Sequence, residues 1–193
     1  MVAVHSTMLP LGTSLPDFRL PDSAGKLHEP ADVAGAAGLL VAFVCNHCPY
    51  VIHIGPTLGR RARQWMDQGL AVMAINANDI AAYPQDAPER MSTFAQQNGW
   101  DFPYLFDETQ EVAHMFRAAC TPDLFLFDKD RKLAYRGQFD ASRPGNNQPV
   151  TGDDLDRAVQ AVLAGRAVPG DQIPSIGCNI KWKPGNEPEY MPA

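Results

Sequence analysis

Three observations predict an α/β fold with a mixed central sheet flanked by helices. Two apolar runs of strand length, 38–44 and 70–75, are each followed by a helical pattern. Runs that are apolar throughout belong to strands buried on both faces, and strands alternating with helices imply parallel pairing. Further on, 123–127 and 132–136 flank the turn at 128–131 and read as a hairpin, adding antiparallel strands at one side.

In chain order, 14–22 reads as a short edge strand between prolines, followed by a turn at 22–25. The first buried strand, 38–44, leads into a helix from Pro49, where Val51, Ile54, Leu58, Ala62 and Trp65 form one apolar stripe. Pro56 lies inside the stripe and removes a backbone donor, so a kink or break is expected there. The second strand, 70–75, ends at 76–79. A helix over 87–98 is opened by Pro88 and Glu89 and closed by Gly99. The stretch 104–107 is extended and ends in a helix cap. Residues 109–119 are helical, with Val112, Met115, Phe116 and Ala119 on one face. After the hairpin, 153–165 forms an amphipathic helix capped by Thr151 or Asp153. Residues 1–165 make one domain. The proline-rich tail, 166–193, carries Cys178, Trp182 and Tyr190 and is expected to pack on that domain as an extended strap.

The net charge of −6 argues against nucleic acid as a partner, because phosphate neutralisation needs surplus Lys and Arg. No apolar run approaches the roughly 18 residues of a membrane helix. The first 20 residues lack the pattern of a secretory signal, so a cytoplasmic setting is expected. Four cysteines among 193 residues do not make a disulfide scaffold. They are reactive groups, metal ligands or buried hydrophobes.

Cys45 and Cys48 lie where the first buried strand passes into its helix. The N–H groups and partial positive charge of a helix start stabilise an anion, so Cys45 is expected to have a lowered thiol pKa and to be the nucleophile. Cys48 follows about 60° around the helix, close enough to complete an exchange begun on Cys45. Inert burial and half of a zinc cluster are the competing readings. The zinc reading lacks its second half, since Cys120 and Cys178 stand alone and His53 points about 140° away from Cys48, and no metal is assigned. His47 either supports a Cys45 thiolate or is a solvated loop histidine. Cys120 and Cys178 are candidate resolving thiols or idle ones. Asn76, Asn78 and Asp79 follow the second strand, where ligand sites of open α/β sheets gather, and are candidates for lining a substrate groove. His5 and His28 are expected to be solvated, and His114 to lie on a helix face.

Phe43-Val-Cys-Asn-His-Cys-Pro49, the later Thr121-Pro122 and the order of elements resemble the thioredoxin superfamily. Residues 16–22 and 121–128 resemble its peroxiredoxin-like branch, the alkyl hydroperoxide reductase and thiol-specific antioxidant group, over roughly 11–165. The resemblance implies a thioredoxin-like fold in which Pro122 is cis and faces the pair, with Thr121 offering backbone groups to a thiol partner. This chain departs from the peroxiredoxin pattern Pro-x-x-x-Thr/Ser-x-x-Cys: aligned on Cys48, Val41 stands at the proline and Cys45 at the hydroxyl position. Arg117 and Arg136 are candidates for the partner arginine by sequence proximity alone. The expected activity is antioxidant thiol–disulfide exchange through Cys45 and Cys48, with no cofactor beyond the cysteines and a protein or small-molecule thiol or disulfide as partner. Thiol peroxidase through Cys48, acting on peroxide, is second. A redox-sensing or zinc-binding module without turnover is third. No symmetric apolar patch is readable, so no oligomeric state is assigned.

Overall fold

The structure, a computed structural model, describes residues 3–33 and 35–190; positions 1, 2 and 34 of the expected domain and 191–193 of the tail lie outside these. The strands are β1 (Ala3–His5), β2 (Leu20–Pro21), β3 (Leu27–His28), β4 (Gly38–Phe43), β5 (Leu70–Asn76), β6 (Tyr104–Phe106), β7 (Cys120–Thr121), β8 (Asp123–Asp128), β9 (Leu133–Arg136) and β10 (Ile176–Asn179). The helices are α1 (Pro49–Asp67), α2 (Pro88–Gln97), α3 (Glu111–Met115) and α4 (Asp153–Leu163). The central sheet runs β6-β5-β4-β8-β9. Its first three strands are parallel, and β8 pairs antiparallel with β4 on one side and with β9 on the other, the mixed sheet expected.

Alternation along β4 divides the core. Leu40, Ala42 and Val44 pack with Leu58 and Trp65 of α1, Met91 of α2 and Val159 of α4. Leu39, Val41 and Phe43 pack on the other face with Phe18, Val112, Phe116, Phe125 and Phe127. Phe116 meets Phe43 and Phe125 edge to face, with centroids 5.2 and 5.3 Å apart. Each of these buried large side chains contributes roughly 1.5–3 kcal/mol relative to exposure. Gly59 lets α1 approach the end of α2: a Cβ there would lie 2.2 Å from the Asn98 carbonyl oxygen.

Several expectations are corrected. Of the kink or break expected at Pro56, the break does not occur: helix α1 runs through it. Pro56 and Ile52, whose carbonyl loses its donor, both lie on the exposed face, where water can replace the bond. The edge strand of 14–22 reduces to two isolated bridges, Ser14 to Lys132 and Asp22 to Leu105, and the two-residue pairing of β2 with β3. The helix expected over 109–119 is the five-residue α3, bounded by Gln110 and Arg117 with φ of 66° and 49°. Gly152, not Thr151 or Asp153, is the cap residue of α4, but Thr151 Oγ1 still accepts from the first helical N–H, that of Asp153, at 3.3 Å; Asp140 Oδ2 accepts from the N–H groups of Thr151 and Gly152, both at 2.7 Å. His28 pairs with Asp22 at 2.9 Å rather than standing in solvent. The tail is more than a strap: β10 pairs antiparallel with both β1 and β7 in a second sheet, and β1 itself has no sequence signal.

Candidate active site

Strand β4 delivers the chain to the site, and α1 carries it away. Cys48 is the residue that caps α1, with Pro49 in the first turn, where a missing N–H does no harm. The helix begins at Pro49, as the pattern predicts, so it is Cys48 and not Cys45 that stands at its N-terminus. Both sulfurs are buried, with none of the four cysteines in a disulfide.

The expected electrostatics are reversed: of the two thiols, Cys48 is the one lowered, to about 5. The neighbouring Cys45 thiol is the largest cause. Cys178, Thr121 and the Val51 N–H in the first turn of α1 help, against the opposing effect of burial. Cys45, expected to be the acidic thiol, is instead held well above the ordinary cysteine range. The neighbouring Cys48, its own burial and the charge of Asp86 all keep it neutral, while Thr121 pulls weakly the other way. In its thiol form Cys48 gives an S–H bond to the Thr121 carbonyl at 3.0 Å; ionisation exchanges that bond for those received from its neighbours.

Thr121–Pro122 is cis, as the resemblance implied. The Thr121 side chain also reaches the pair, its Oγ1 lying 3.6 Å from Cys45 Sγ. On the other side stands His47, with Nδ1 3.9 Å from Cys45 Sγ but 2.6 Å from Asp86 Oδ2. Asp86 is thus the principal partner of His47, and the imidazole is neither solvated nor aimed chiefly at sulfur. Asp86 is fully buried and also accepts from the N–H groups of Asn46 (2.8 Å) and His47 (3.2 Å) and from Asn78 Nδ2 (2.8 Å). Tyr83 stacks on the His47 ring at 5.4 Å, and Lys181 Nζ lies 5.7 Å above Tyr83.

Asn76, Asn78 and Asp79 do not line a groove; all three are buried with their polar atoms engaged. Asn76 Nδ2 donates to the Asp86 carbonyl at 2.7 Å, Asn78 Oδ1 accepts from Lys181 N–H at 2.8 Å, and Asp79 Oδ1 accepts from Ala81 N–H at 3.0 Å. They hold Asp86 and the tail in place. Cys178 contacts Cys48, so the structure brings it to the site. Cys120 gives its S–H to the Pro122 carbonyl at 3.5 Å and is pushed far up by burial. Arg117 lies over the Tyr190 ring, and Arg136 donates to the Leu9 carbonyl and Gln172. Among the described residues, no arginine bonds to either sulfur of the pair.

Asp86, Tyr83 and Lys181 escaped sequence reasoning because no spacing links them to the cysteines. Cys45 Sγ, His47 Nδ1 and an Asp86 oxygen lie within 4.8 Å of one another, a spacing that can hold a metal ion. The direct His47–Asp86 bond already joins two of those three donors. No helix among the described residues is long and apolar enough to cross a membrane.

Known proteins share this architecture. The chain is 50% identical to an uncharacterized conserved protein from Geobacillus kaustophilus, with a TM-score of 0.93 over 96% of this chain and 98% of that one. A hypothetical protein from Sinorhizobium meliloti 1021 is also 50% identical, with a TM-score of 0.92 over 94% and 99% of the two chains. The thiol-disulfide oxidoreductase ResA of Geobacillus thermodenitrificans is 27% identical over 129 residues, 67% of this chain and 70% of the relative. Residues 11–136, well over half of the chain, match the family model described as AhpC/TSA. By that match, the chain with its cysteine pair at the β4–α1 junction belongs to the AhpC/TSA family.

Proposed function

We propose that this chain is a thiol–disulfide oxidoreductase in which Cys48 attacks and Cys45 completes the exchange. The observation that carries this reading is the pair of buried sulfurs at the start of α1, both in contact with Thr121 of the cis Thr121–Pro122 segment; the lowered Cys48 thiol sets the order of attack. A thiolate is the attacking species in disulfide exchange. The Cys48 thiolate attacks a substrate disulfide, and one substrate sulfur departs as thiolate. Cys45 then attacks Cys48 Sγ, closing the Cys45–Cys48 disulfide and releasing the second substrate sulfur. The Cys45 proton passes to that leaving thiolate. The cycle is antioxidant in the sense that a substrate disulfide is reduced, and it uses no cofactor beyond the sulfurs.

Cys48→Ser is expected to abolish turnover of a model disulfide. Cys45→Ala is expected to retain the first attack and to raise the pH at which thiolate absorbance appears, from about 5 in the unaltered chain. Full activity in Cys48→Ser overturns the assignment. A cytoplasmic setting belongs to the same proposal, and fractionation of cells producing the full chain tests it.

A specific geometry favours a second reading, thiol peroxidase. Cys45 stands at the family's hydroxyl position beside Cys48 and, as a hydroxyl would, lowers the Cys48 thiol. Both sulfurs are buried, which suits an oxidant as small as a peroxide. Cys48 thiolate would take one peroxide oxygen to become a sulfenic acid, and Cys45 would displace that oxygen as water. Dimedone present during peroxide treatment of Cys45→Ala labels Cys48 under this reading and leaves it unlabelled otherwise.

A further inference from the structure

The pair is not the whole sulfur cluster. Strand β10 lies beside β7 in the register Cys178 opposite Thr121 and Asn179 opposite Cys120. Residues directly opposite in an antiparallel pair project from the same face, and successive residues from opposite faces. Thr121 touches both Cys45 and Cys48, so its face is the one turned toward the pair. Cys178 shares that face; Cys120 is on the other. The alternation selects one of the two remaining cysteines.

The approach is close, and the backbone is built for it. A Cβ on Gly177 would lie 2.0 Å from the Thr121 carbonyl oxygen and 2.6 Å from its carbon, so only glycine fits between β10 and the Thr121–Pro122 segment. Ser175 Oγ donates to the Pro122 carbonyl at 2.7 Å, and the Ser175 carbonyl accepts from Ser6 N–H at 2.9 Å. Beyond β10, the Lys181 carbonyl accepts from Asp79 N–H (2.8 Å) and Gln110 Nε2 (3.0 Å). Cys178 is thereby held from both sides, and its side chain is hydrogen-bonded to Cys48.

We propose that Cys178 is a third redox-active thiol, which exchanges with Cys45 for a disulfide to Cys48. The inference rests on the Cys45/Cys48 reading and extends it. In the step, Cys178 Sγ attacks Cys48 Sγ within the Cys45–Cys48 disulfide. The Cys48–Cys178 bond forms as the Cys45–Cys48 bond breaks, and Cys45 leaves as a thiolate that takes up the proton Cys178 gave up. One disulfide is consumed and one is made, so no external oxidant or reductant enters. The burial that holds the Cys178 thiol up at about 12 keeps it a proton donor to Cys48 until that step. The product ties the start of α1 to the C-terminal strand. Cys48 is then the common sulfur of two alternative disulfides.

Trypsin separates the outcomes, because Cys45 and Cys48 fall in one peptide, 27–60, Cys178 in 167–181 and Cys120 in 118–129. The probe is dithiobis(nitrobenzoate), which releases one coloured thiolate on attack by Cys48 and leaves the second on its sulfur. Cys45→Ala is expected to release the second equivalent as well and to yield the 27–60/167–181 link by mass spectrometry. The Cys45→Ala/Cys178→Ala chain is expected to stop at the first. If Cys45→Ala retains the second equivalent on Cys48 while the unaltered chain closes a disulfide within 27–60, the proposal is overturned and the pair reading stands. Release from the double variant, or a link to 118–129, also overturns it. If the unaltered chain closes no disulfide within 27–60, the pair reading itself fails and takes this extension with it. Mapping the oxidised unaltered chain keeps the test open should a variant not fold: the 27–60/167–181 link must appear beside the internal one, and its absence counts against Cys178.

Discussion

Cys45 and Cys48 reach the site along one short stretch of chain, where a fully buried strand ends and a helix begins. Cys178 reaches the same sulfur from the far end of the chain, on a four-residue strand held between β1 and β7. The first arrangement follows from local rules: apolar run, turn, proline in the first helical turn. The second depends on a register between segments distant in sequence and on a glycine that tolerates near contact with a carbonyl. The two regions also handle buried charge differently. At the turn, Asp86 is surrounded by donors from Asn46, His47 and Asn78. At the β7–β8 junction, burial outweighs the bond that Asp123 Oδ2 accepts from the Ala119 N–H, and its carboxyl is raised to about 6. A locally built site is thus completed by a tertiary scaffold whose polar groups are only partly compensated.

The contrast is broken most severely by Asp86→Ala. It strands several buried donors at the turn, each costing about 1–3 kcal/mol, and a total loss of roughly 3–5 kcal/mol is expected in denaturant unfolding. It also removes a charge that opposes Cys45 ionisation, so the Cys45 thiol is expected to titrate lower in whatever fraction remains folded. A Cys45 titration that does not move would separate Asp86 from the electrostatics of the pair.

Asp123 gives the next effect, and its sign is opposite to that of an ordinary paired carboxylate. Its folded pKa, about 6, exceeds the ordinary 3.8, so between these values the folded state binds more protons than the unfolded state. Its contribution to stability therefore falls as pH rises from about 4 to 6 and stays low above that, a change on the order of 3 kcal/mol. Asp123→Asn is expected to remove that fall. Melting curves of the two chains should converge toward pH 4 relative to their separation at pH 7; a constant offset would show that Asp123 does not titrate in this range.

Gly177→Ala probes the tail region most gently. Its methyl group must push β10 from the Thr121 carbonyl, an overpacking cost of about 1–3 kcal/mol. The disulfide within 27–60 is expected to form as before, while linkage of Cys178 to Cys48 falls. Equal loss of both would mean that the two regions are one mechanical unit rather than two.

Much of the fold was legible because it rests on patterns of short range. The apolar runs that became β4 and β5, the α1 stripe and the 128–131 turn all declare themselves within a few residues. The misreadings share a cause. Met115 extended the apparent helical face of 109–119, yet its side chain is half exposed and left-handed residues bound α3 on both sides. Strand β1 is three residues long with no buried face, so its pairing with β10 leaves no periodic trace.

From its sequence alone, this chain determined a mixed α/β sheet, a strand-to-helix junction bearing two cysteines three positions apart, and a proline two residues beyond a third. Spacing and apolar periodicity act along the chain, and they suffice for that much. Which sulfur carries charge, what holds His47, and which distant cysteine joins the pair were decided only by tertiary structure. Ionisation responds to burial and to charges through space, and those neighbours arrive from β7, from the turn before α2 and from β10, segments that no local pattern connects.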